Sequence, residues 1–65
     1  MTTRHPEITV ELIGHDSNAF NILGKVARAL RRAGHADEIA LYTAEATAGD
    51  YDHLLATTMT WVDVR

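Results

Sequence analysis

The sequence contains no cysteine in its 65 residues. That absence excludes disulfide staples and thiolate zinc sites and removes thiol chemistry. It fits a reducing compartment, so a cytoplasmic protein is expected. Serine occurs once, at Ser17, and no Gly-x-Ser-x-Gly elbow is present to carry a serine nucleophile. No apolar run approaches the length of a membrane span, and residues 1–7 hold no apolar signal-peptide core. The glycine-rich loop with a lysine that cradles phosphates is missing, as is any HExxH or other zinc signature. A ligand pocket of about 300 Å³ or more also finds little room in so short a chain. These gaps point to a protein that is not an enzyme and needs no cofactor.

A chain of this size forms one domain and buries only about 60% of its unfolded surface. One such core seldom supplies more than roughly 3–5 kcal/mol, so extra support is expected, and with no cysteine that support would come from oligomerisation. Hydrophobic residues make up 46% of the chain, too many for disorder. The net charge of −3 hides an uneven layout. Lys25, Arg28, Arg31 and Arg32 lie in a stretch from Asn18 to Gly34 with no acid, and all nine acids lie outside it. Such asymmetry marks a candidate binding face.

Residues 1–6 read as a flexible lead-in with nothing suited to burial. Residues 7–13 alternate, with Ile8, Val10 and Leu12 on one side, which predicts a strand. A turn follows at residues 14–18, where Asp16, Ser17 or Asn18 caps a helix over 18–33. Phe20, Leu23, Val26, Ala27 and Leu30 form its apolar stripe, widened by Ile22, and Gly34 stops it. Gly24 in mid-helix costs about 1 kcal/mol against alanine, which suggests another backbone packed close by. A second helix is expected over 37–48, with Ile39, Tyr42, Thr43 and Ala46 inward. Asp50 caps a third, over 51–60, with Tyr51, Leu54, Leu55 and Met59 inward. Residues 61–65 alternate again as a terminal strand that must pair with the first. The expectation is an α+β domain, β-α-α-α-β, with a two-stranded sheet packed on three helices; counting elements makes the strands parallel.

Two blocks carry a resemblance: Asn18-Ala19-Phe20 through Ala33-Gly34, and Glu45-Ala46-Thr47 with Gly49-Asp50-Tyr51-Asp52-His53-Leu54-Leu55. With Thr58, Met59 and Trp61 they make the chain similar to a family of small uncharacterised bacterial and prophage proteins, from about Val10 to Val62. The resemblance implies an accessory or regulatory role associated with phage or mobile elements, and it supplies no catalytic residues. Where relatives tend to read Asp-Gly ahead of the first block, this chain has Asp16-Ser17.

Three kinds of site compete. Lys25, Arg28 and Arg32 are spaced three and four apart, which aligns them along one helix face, with Arg31 beside it. That stripe suits a complementary protein surface, either another protein or a second copy, with Trp61 as a candidate anchor if exposed. Phosphate contacts to nucleic acid are the alternative, opposed by the acidic net charge and the scarcity of exposed aromatics. The third is a metal site at Asp50 and His53, joined by His15; the competing account makes Asp50 a helix cap and His53 part of it. The sequence therefore favours a small protein-interaction module, a homodimer or the partner of another protein, over a nucleic-acid-binding regulator or a metal-dependent protein.

Overall fold

The computed structural model describes residues 3–12 and 18–65, and its elements run β-α-α-α-β. Strand β1 (His5–Val10) pairs in parallel with β2 (Val62–Val64), so the chain crosses over through all three helices between the two strands. Ile8 and Val10 are buried as alternation predicts. The strand nonetheless begins two residues earlier than the alternation signals, and His5 is buried within it. Pro6 hides this from the sequence. His5 faces Val62 while Thr9 faces the next residue, Asp63, so the intervening residues bulge from the ladder and shift the period. Pairing reaches past both strands through Arg4 N to Thr60 O at 2.8 Å and Leu12 N to Arg65 O at 2.9 Å. The strand ends at Val10 instead of running on through Glu11 and Leu12 as expected, and Ile13 lies outside the described residues.

Helix α1 (Ala19–Arg32) opens on Asn18, whose side chain accepts from Phe20 N at 2.7 Å. It closes in a Schellman turn: His35 N donates to Leu30 O at 2.8 Å and Gly34 N to Arg31 O at 3.1 Å, around Gly34 at φ 89°. Its buried stripe is Ile22, Val26 and Leu30, each wholly buried. Phe20 is 82% exposed, because at about 100° per residue it lies off the face those three share. Gly24 is also unlike the expectation. A Cβ there would meet nothing within 4 Å, so no close backbone requires a glycine.

A turn of 3-10 helix (Ala36–Glu38) leads into α2 (Ile39–Ala46), which buries Tyr42 and Ala46. At Gly49 the chain turns under His53: a Cβ would come within 2.8 Å of the His53 side chain. Helix α3 (Tyr51–Trp61) is capped by the Asp50 side chain, which accepts from His53 N at 2.9 Å. It buries Leu54, Thr58 and Trp61, while Tyr51 and Met59 are exposed, a rotation of the predicted stripe. The cause is Thr58, a polar residue satisfied at depth. Its hydroxyl donates to Leu54 O at 2.8 Å, so the Tyr42 hydroxyl 2.8 Å away must be the donor to Thr58 Oγ1. Burial pushes the Tyr42 phenol above its ordinary pKa, against the opposite pull of that hydrogen bond.

Trp61 is the centre of the core and belongs to the end of α3 rather than to a strand. Its ring lies edge-on to Tyr42, with centroids 5.5 Å apart, and its Nε1 donates to Glu45 Oε1 at 3.0 Å. At 2% exposure it cannot anchor a partner, which corrects its assignment to an interaction surface. Among the described residues no buried side-chain nitrogen or oxygen lacks a partner, and no helix is long and apolar enough to cross a membrane.

Candidate functional site

Helix α1 packs against β1 and α3 against β2, which leaves a furrow between the outer edge of β1 and one flank of α1. Lys25, Arg28 and Arg32 line it from the helix, and Thr9 and Val10 of β1 with Glu11 just after it from the other side, around a space of about 350 Å³. A smaller continuation of about 220 Å³ runs along Glu7, Ile8 and Thr9 towards Ala33. The helical spacing thus gathers three of the four cations singled out in the sequence. Arg31, about 100° round the helix from Arg32, is exposed but does not line the furrow.

The strand side of the furrow is an open edge. Val10 O accepts from Arg65 N, and Leu12 N donates to Arg65 O, so these residues direct their backbone groups at the β2 side. Alternation then turns the backbone groups of Thr9 and Glu11 outward. Lys25 Nζ already donates to Glu11 O at 3.0 Å, which shows that this edge lies within reach of the helix cations.

A second cluster forms at the other end of β1, where the Schellman turn after α1 brings His35 against His5 with ring centroids 4.2 Å apart. Glu38, one turn on from His35, reaches both rings. Its Oε1 lies 3.0 Å from His5 Nε2 and its Oε2 3.4 Å from His35 Nδ1. Glu7 Oε2 lies 3.5 Å from His5 Nδ1 and 3.9 Å from His35 Nε2. Arg4 completes the surroundings, its guanidinium 4.2 Å from the Trp61 ring centroid and 3.8 Å from Glu38 Oε1. The His5 hydrogen bond, with the neighbouring charges of His5, His35 and Arg4, holds the Glu38 carboxyl below its ordinary pKa despite desolvation. Sequence reasoning passed over this cluster. The His35/Glu38 spacing was its one local signal, and its other half lies in a segment read as a flexible lead-in.

The other residues weighed for a metal are arranged differently. Asp50 spends Oδ1 on the helix cap, and His53 Nε2 lies 2.8 Å from Glu45 O and 3.3 Å from Thr57 Oγ1. His15, and with it the segment Gly14-His15-Asp16, lies outside the described residues. Searches of protein-family models, of curated proteins and of solved structures found no match to this chain.

Proposed function

We propose that this protein is a non-enzymatic accessory module that acts through protein contacts, holding an extended acidic segment of another protein in the furrow between β1 and α1. The observation that carries the reading is the convergence of Lys25, Arg28 and Arg32 on one furrow beside an open strand edge. An extended segment would add to the edge through its own backbone, as in β-strand addition, while its acidic side chains meet the helix cations. Nucleic acid fits less well. Among the described residues no aromatic side chain lines the furrow to stack on a base, whereas a strand edge offers backbone partners that only a peptide can pair with.

The test uses a short peptide of alternating glutamate and valine, a copy with every second amide N-methylated, and a single-stranded oligonucleotide of matched charge. Fluorescence anisotropy should show salt-sensitive binding of the first peptide alone. Reversing two exposed ion-pair partners in Arg28→Glu/Arg32→Glu should cost about 2 kcal/mol, roughly thirtyfold in Kd. Equal binding of the N-methylated peptide would remove strand addition from the reading. Preferential binding of the oligonucleotide would replace the protein partner with nucleic acid.

A further inference from the structure

We propose that His5, His35 and Glu38 form a three-ligand site for a divalent transition metal of the zinc class, with Glu7 as the outer carboxylate that orients both imidazoles. One ligand atom from each of the three residues lies within 4.8 Å of the others. Zinc bonds to nitrogen and carboxylate oxygen are about 2.0–2.2 Å, which sets tetrahedral ligand atoms roughly 3.4 Å apart. Glu38 Oε1 stands 3.0 Å from His5 Nε2 and Oε2 3.4 Å from His35 Nδ1, so each imidazole has a carboxylate oxygen near that spacing and the carboxylate would turn to present one oxygen to both. The two imidazole nitrogens close on a common point by rotation of the His35 side chain, which is 31% exposed.

The arrangement behind the ligands is what separates a metal site from an ordinary ion-pair network. A metal-bound imidazole uses one ring nitrogen on the ion and donates the other N–H to a carboxylate or carbonyl, which fixes its tautomer and orientation. Here the nitrogens left over, His5 Nδ1 and His35 Nε2, lie 3.5 and 3.9 Å from the same Glu7 oxygen, which is ion-pair distance and longer than a hydrogen bond. Glu7 would have to close on both rings for one carboxylate to serve two ligands. Two imidazoles and one carboxylate select zinc or its neighbours over magnesium and calcium, which want oxygen donors. Three protein ligands leave a fourth position for water or for an anionic group brought by a partner.

The position gives such an ion a structural consequence. His5 comes from the first strand and His35 and Glu38 from the corner between α1 and α2, so the metal ties the start of the sheet to the helical layer. Small domains without disulfides commonly use a structural metal as support. Arg4 is the competitor, because its guanidinium approaches Glu38 Oε1 and is repelled by a cation there.

The experiment titrates untagged full-length protein with zinc by calorimetry and with cobalt by visible absorption. Copper quenching of Trp61, whose ring centroid lies 6.1 Å from that of His5, supplies a third readout. The expected result is saturable one-to-one binding, weakened about tenfold or more in His35→Ala and in Glu7→Gln, and tightened in Arg4→Ala. His53→Ala, on a different surface, should bind as wild type. Circular dichroism of each apo variant confirms its fold, so weakened binding in a folded variant reports the site itself. No saturable binding by wild type would overturn the proposal. So would unchanged affinity in folded His35→Ala and Glu7→Gln, or a loss confined to His53→Ala.

Discussion

Gly24 lies two positions from Val26 on α1, which places it away from the buried stripe, and open space surrounds the position of its missing Cβ. Its φ is not positive, so alanine would fit the backbone without strain. Gly24→Ala is accordingly expected to stabilise the protein by about 0.5–1 kcal/mol, read as a higher urea midpoint with an unchanged slope. A loss of stability would mean that the glycine answers a need the packing does not show. Gly34, at φ 89°, is the opposite case, because a side chain there would strain the turn that delivers His35 to His5. The sequence separates the two by position, since Gly34 ends the apolar pattern and Gly24 interrupts it. The backbone conformation and the space around the Cβ decide what a side chain would cost at each.

The helices are legible as elements and less so as oriented objects. The caps were readable because they are local: Asn18 and Asp50 bond backbone N–H groups two and three residues away. Asp50→Ala should cost about 1 kcal/mol by removing the α3 cap, measured by chemical unfolding, with helix content by circular dichroism little changed. A cost near zero would show that neighbouring contacts, such as His53 with Glu45 O, hold the start of α3 without it. The inward faces were harder to read because hydrophobicity misleads where a polar residue is satisfied at depth. Met59 is apolar and 61% exposed, while Thr58 is polar and 1% exposed, held by Tyr42 and Leu54.

At the scale of the molecule, Trp61 joins the layers. It ends α3, precedes β2, abuts Tyr42 of α2, and lies beneath Arg4 ahead of β1. A residue shared in this way cannot change its surroundings while the rest stays folded. The single tryptophan should therefore report global unfolding, with fluorescence and far-ultraviolet circular dichroism giving coincident denaturation curves. Separate midpoints would mean that the sheet and the helices come apart as independent units. The cations of the furrow and the three metal ligands lie towards opposite ends of β1, so Arg28→Glu/Arg32→Glu and His35→Ala test them separately, while Glu7 borders both.

By itself the sequence determined what depends on neighbours along the chain: three helices between two strands, their caps and stops, and the gathering of Lys25, Arg28 and Arg32 on one helix flank. Periodicity and capping act over a few residues, and a single chain displays them. The tertiary structure decided what depends on residues far apart. It set three cations beside an open strand edge, buried Trp61, and brought His5 to Glu38 across 33 positions. The bulge around Pro6 broke the alternation that would have announced His5 as part of the strand. The physical reason is that packing selects faces by the total fit of buried surface and paired polar groups, and that sum exists only once the elements meet.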